Sequence, residues 1–98
     1  MSDARTHAIQ HRLAVAFGAD GLAVRDDSHL HIGHAGARDG RGHFSVRVVS
    51  PAFDGKPALA RHRAVYAALG DLMASDIHAL SIDALTPAEA GQPEGNKP

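Results

Sequence analysis

The run Phe44-Ser-Val-Arg-Val-Val-Ser50 decides the fold, together with the segments C-terminal to it: Pro51, the turn Phe53-Asp-Gly-Lys-Pro57, a helical stretch over 58–74, and Ile77-His-Ala-Leu-Ser-Ile-Asp-Ala-Leu85. Phe44, Val46 and Val48 alternate onto one face of an extended chain, and Ser45, Arg47 and Val49 onto the other. Pro51 lacks the amide that a ladder needs, so the strand ends there. Pro57 suits the start of a helix, where a missing N–H costs nothing. Beyond it Leu59, His62, Val65 with Tyr66, Leu69, and Leu72 with Met73 recur every three or four residues, the pattern of an amphipathic helix. Ser75-Asp76 breaks that helix, and Ile77–Leu85 alternates in part and reads as a third strand. Strand, helix and strand in succession form a crossover unit, which is right-handed and leaves its two strands parallel.

The flanks extend this unit. Residues 4–18 read as a helix through Ile9, Leu13, Val15 or Ala16, and Phe17, with Gly18 where a C-cap belongs. Leu22–Asp27 is a short strand signal that can pair with the 44–50 strand as a hairpin. Its connection, 28–42, is long and carries glycines at 33, 36, 40 and 42. Thr86-Pro-Ala-Glu-Ala90 offers a cap, a proline at the first helical position and a carboxylate at the third, enough for one turn. From Gly91 onward the composition is that of a disordered tail. The expectation is one domain over 1–90 and a disordered tail over 91–98. The fold class is α+β, in the order α-β-β-α-β-α, with a three-stranded mixed sheet and both main helices on one face.

Composition narrows the function. Ninety-eight residues hold one modest core, and much of the 44% hydrophobic content is alanine. A net charge of −1 argues against a strongly basic nucleic-acid binder, though not against a local basic patch. No cysteine means no disulfide framework and no thiolate metal site. No apolar run approaches the ~18 residues of a membrane span. The first residues lack the form of a signal peptide, so a cytoplasmic location is expected.

Histidine is the unusual component: eight of the 98 residues, with His29, His31, His34 and His43 inside fifteen positions. Imidazole is the commonest biological metal ligand and titrates near neutrality, so this glycine-rich stretch reads as a place to hold a metal or a proton. A free loop of this kind can also take up zinc or nickel adventitiously. His43, just before a strand, reads as a residue that orders loop backbone. His62, on the apolar stripe, reads as a buried core histidine, and His7 and His11 as solvated. Phe53, Val65 and Tyr66 read as core or turn-locking residues. Arg61 and Arg63 flank the helical stripe and, with Lys56 in the preceding turn, either form a solvated face or recognise anions. The segment Pro51–Lys56 lacks the Gly-x-x-Gly of RNA-binding KH domains. Gly33-His-Ala-Gly36 has the letters, but between two strands. No carboxylate–nucleophile constellation suggests catalysis.

Asp27-Ser-His29, Gly33-His34, His43-Phe44, Val48-Val-Ser50, Phe53-x-Gly55, Arg61-His-Arg63-x-Val-Tyr66 and His78-Ala-Leu80 succeed one another in a fixed order. The pattern resembles the BolA family, over residues from about 8 to 88. The resemblance implies a fold similar to the class II KH domain and no enzymatic activity. It also implies partnership with monothiol glutaredoxins of the Cys-Gly-Phe-Ser type, around a [2Fe-2S] cluster shared with glutathione. The family's iron ligands, a loop residue and a histidine opening the last strand, resemble His34 and His78 by position, with His31 as the alternative loop ligand. Some bacterial members are described as DNA-binding regulators of morphology and stress genes. Lys56, Arg61 and Arg63 are the candidates for binding a partner or nucleic acid. The first expectation is therefore an iron–sulfur adaptor, working in cluster assembly, transfer or iron regulation. The alternative is a DNA-binding transcriptional regulator.

Overall fold

The computed structural model describes residues 2–28 and 42–91. Its elements are α1 (Ser2–Phe17), β1 (Leu22–Asp26), β2 (Gly42–Val49), a 3-10 turn (Pro51–Phe53), α2 (Ala58–Leu69), α3 (Leu72–Ser75), β3 (Ile77–Leu85) and α4 (Pro87–Ala90). The sheet order is β1-β2-β3. β1 runs antiparallel to β2 with Val24 opposite Val46, and β3 runs parallel to it with Ile82 opposite Val46. This is the mixed α+β sheet that the crossover reading predicts. The histidine-rich segment 29–41, including His29, His31 and His34, lies outside the described residues, as does the tail from 92 onward. Gly42, expected in the loop, is already the first residue of β2.

Period-two alternation sets the two faces of the sheet. Phe44, Val46 and Val48 are buried, and their cross-strand partners Leu22, Val24, Leu80, Ile82 and Ala84 pack on the same side. Ile9 and Leu13 of α1 and Val65 and Leu69 of α2 close over that side, so both long helices cover one face. The other face carries Ala23, Arg25, Ser45, Arg47, Ser81 and Asp83. Helix α1 stops at Gly18, whose φ of 91° is the left-handed conformation glycine adopts without strain. After β2, the Ser50 side chain accepts the Ala52 amide at 3.2 Å and starts the 3-10 turn. That turn buries Phe53 against Phe17, with ring centroids 5.0 Å apart.

The structure corrects two expectations. The helix predicted over 58–74 is two helices, α2 and α3, separated where Gly70 takes a φ of 55° and caps α2 through Tyr66 O. The apolar spacing continues through Leu72 and hides the break. The stripe is also narrower than its spacing suggests: Val65, Leu69 and Leu72 are buried, whereas Leu59 is 61% and Tyr66 43% exposed. At about 100° per residue, Leu59 and Tyr66 lie roughly 100–120° around the helix from Val65, at the edge of the buried arc. Tyr66 is thus a surface residue, and His62 is half-buried.

Leu13 is fully buried and Val15 is 76% exposed on the same helix. Leu13→Ala should therefore lower the unfolding free energy by about 2–5 kcal/mol in urea titration, and Val15→Ala should change it by under ~0.5 kcal/mol.

Candidate functional site

Three strand ends meet at one end of the sheet: the C-terminus of β1 and the N-termini of β2 and β3. The backbone there is held tightly. Asp27 N–H donates to His43 O at 2.7 Å, and His43 N–H donates to Ser28 Oγ at 3.0 Å. Ser28 N–H donates to Asp26 Oδ1 at 2.8 Å, and Gly42 N–H to Asp76 O at 2.9 Å. Gly42 is needed for this closeness, because a Cβ there would stand 2.7 Å from both the Phe44 ring and Ser28 Oγ. Ser28 and Gly42 are the two anchors of the histidine-rich segment, so that segment leaves and rejoins the sheet beside His43.

The parallel register is irregular at this end. Gly42 lies opposite Ile77, but His43 lies opposite Ala79, so His78 is the additional residue on β3. Such an irregularity re-aims a side chain. His78 is exposed, and its ring stands beside that of half-buried His43, with centroids 5.1 Å apart and planes tilted by 49°. The sequence placed both residues at strand starts but not side by side. No local sequence signal places them together; the contact follows from the pairing register of β2 and β3.

The donor chemistry is set by these residue types. Among the described residues no group of three or more histidine, cysteine, aspartate or glutamate side chains is arranged to hold a metal. With no cysteine in the chain, the side-chain donors at this end are imidazole nitrogen and carboxylate oxygen, not thiolate sulfur. Exposed His78 is one such nitrogen donor. His34 and His31 lie on the segment anchored here, outside the described residues.

The basic residues divide. Arg61 Nε donates to Lys56 O at 2.7 Å, and its Nη1 donates to Ala84 O at 3.0 Å and to Glu89 Oε1 at 2.6 Å. Its Nη2 reaches Glu89 Oε2 at 3.2 Å. The guanidinium therefore clamps the turn before α2, the end of β3 and the last helix together. Glu89 is pre-placed for it by the capping box with Thr86, in which each residue's side chain accepts the other's backbone N–H. Hydrogen bonding to Arg61, with the Thr86 amide adding to it, pushes the Glu89 carboxyl down from 4.5 to about 2. Lys56 and Arg63 are exposed and, among the described residues, make no ion pair. Of the three basic candidates, these two have charge to offer a partner. On the open sheet face a shallow groove runs past Arg25, Ser45, Arg47, Ser81 and Asp83. Both arginines there face carboxylates, Arg25–Asp27 at 2.6 Å and Arg47–Asp83 at 3.6 Å, so the groove carries no net positive field.

The sequence profile of the family described as "BolA-like protein" matches residues 13–89. The chain is 51% identical over 73 residues to SufE-like protein 1, chloroplastic/mitochondrial, of Arabidopsis thaliana, covering 69% of this chain and 20% of that protein. It is 41% identical over 85 residues to BolA-like protein 1 of Pongo abelii, covering 87% of this chain and 60% of that one. The chain thus spans a fifth of the first relative's length and three fifths of the second's. Among solved structures it resembles the BolA domain of SufE1 from Arabidopsis thaliana, with a TM-score of 0.77 and 44% identity, over 87% of this chain and 94% of that domain. No helix among the described residues is long and apolar enough to cross a membrane.

The Arg61–Glu89 pair sets a pH dependence. A carboxyl depressed to about 2 in the folded state, against 4.5 ordinarily, stabilises the fold above pH 4.5, and that contribution is lost as pH falls from 4.5 toward 2. Glu89→Gln should lower the melting temperature at neutral pH and flatten its fall across that window. Arg61→Ala should cost several degrees in thermal melts, and Arg63→Ala almost nothing.

Proposed function

The chain belongs to the BolA-like protein family, and from that premise we propose that it is a non-enzymatic iron–sulfur adaptor, pairing with a monothiol glutaredoxin of the Cys-Gly-Phe-Ser type around a shared [2Fe-2S] cluster. The observation that carries this reading is the position of His78: an exposed imidazole, set off by a register irregularity, at the sheet end where the histidine-rich segment is anchored. A [2Fe-2S] cluster needs four terminal ligands, and two imidazoles on one iron are chemically competent, as in Rieske centres. This chain offers nitrogen and no thiolate; a glutaredoxin cysteine and a glutathione thiol supply the complementary sulfur. His78 and a loop histidine, His34 or else His31, would hold one iron. The cluster, when bound, supplies the redox-active and transferable unit. The chain's own residues position the ligands, and Lys56 and Arg63 offer positive charge to carboxylates of the partner or of glutathione.

The second reading, a DNA-binding regulator, has less support. Arg61 is engaged internally by the turn, β3 and Glu89, which leaves Lys56 and Arg63 as cations for phosphate. Tight, sequence-selective DNA binding by the isolated chain that resists added salt would reverse this order.

The test is to mix the chain with a glutathione-loaded glutaredoxin holding [2Fe-2S] and to record visible absorption and circular dichroism. The wild-type chain should change the cluster's spectrum. His78→Ala should abolish that change while moving stability by under ~0.5 kcal/mol, as expected of an exposed side chain. His34→Ala should alter the spectrum comparably, and His31→Ala less. Wild-type spectra from both His34→Ala and His78→Ala would defeat the ligand assignment.

A further inference from the structure

We infer that His43 is a positioning residue that fixes the orientation of the His78 ring without itself binding iron; the inference rests on the reading of His78 as an iron ligand. An exposed histidine on a strand samples several side-chain rotamers, and a ligand that must meet a metal brought by another protein loses affinity for each rotamer it has to abandon. Something must hold the ring. The tilted contact with His43, at 5.1 Å and 49°, has the geometry that aromatic pairs favour.

His43 is itself well held, which a positioning group requires. Its backbone is tied on both sides, by N–H to Ser28 Oγ and by its carbonyl to Asp27 N–H. It comes directly after a glycine whose close packing against Phe44 and Ser28 leaves no room for a Cβ. The irregularity that makes His78 the additional residue on β3 falls at the Gly42–His43 step, and the His43 ring packs against that of His78. His43 differs from His78 in exposure. His43 is half-buried and its Nε2 is closed to solvent, whereas His78 stands exposed. With that nitrogen closed off, His78 is the more open of the two rings to a cluster carried by a partner.

The family pattern contains His43 with no role attached to it, and the sequence reading gave it only a part in ordering loop backbone. The ring contact gives the side chain a separate task. Because the hydrogen bonds to Ser28 and Asp27 use backbone atoms of His43, substituting its side chain leaves them in place.

The experiment uses the full chain with His43→Ala, His43→Phe and His78→Ala. In the free chain, NMR of the His78 ring should show displaced ring-proton resonances and rotamer averaging in His43→Ala, and a single rotamer in His43→Phe, which restores an aromatic neighbour. In the glutaredoxin heterocomplex, His43→Ala should speed loss of the cluster to a chelator about tenfold, the scale of effect for residues that orient metal ligands, and His43→Phe should restore most of it. A His78 ring equally ordered in His43→Ala, with a wild-type rate of cluster loss, would overturn the inference and leave the ligand role of His78 standing. Equal damage by His43→Phe and His43→Ala would overturn it differently, making the His43 nitrogen itself a ligand. If the wild-type chain takes up no cluster from the glutaredoxin, the adaptor reading fails and the positioning role falls with it.

Discussion

β2 is hydrogen-bonded on both edges and buried on one face, and its two neighbours run in opposite directions. A parallel neighbour demands a crossover, and here α2 and α3 supply it. Slipping the ladder by one residue would turn Phe44, Val46 and Val48 outward and bring Ser45 and Arg47 into the core. The register is therefore fixed by burial over most of its length. It shifts only at the step from Gly42 to His43, where the additional residue on β3 lets Ile77 join the core although it has the parity of the open-face residues Ser81 and Asp83.

The chemistry of the site depends on that step. The same pairing that buries Val46 beneath the two long helices leaves one end of the sheet with three strand termini, an additional residue on β3 and two imidazole rings in contact. The opposite end of β3 is closed by the Arg61 clamp, which joins the turn at Lys56, the carbonyl of Ala84 and the carboxylate of Glu89. One end of β3 is thus rigidly tied down, and the other presents His78. The proposed shared cluster needs this division of labour, because a ligand offered to another protein must stand on a frame that does not move.

Much of the frame was legible in the sequence. The third strand has the bounds its alternation gave, and the Thr86-Pro-Ala-Glu segment forms the capped turn that its residue types dictate. The helix after Pro57 begins where the proline suggested, but its break at Gly70 was masked by apolar residues that continue in step on both sides. Arg61 and Arg63 looked equivalent because both adjoin the apolar stripe. Angular position separates them: Arg61 lies about 40° from Val65 and Arg63 about 160°, so only the first points toward the sheet. The neighbourhood of His43 and His78 depends on pairing across 35 positions of sequence, which local patterns do not encode. His34 and the other histidines of the 29–41 segment were found by composition and by resemblance, and they lie outside the described residues.

The central claim, that an imidazole of this chain binds iron in a cluster shared with a glutaredoxin, is tested most directly by pulsed electron paramagnetic resonance of the reduced heterocomplex, prepared with the chain labelled with nitrogen-15 histidine. The account predicts strong hyperfine coupling of the cluster spin to histidine nitrogen, changing from the nitrogen-14 to the nitrogen-15 pattern when only this chain is labelled. A cluster with no strongly coupled nitrogen, or one whose nitrogen signal ignores the label, would contradict it.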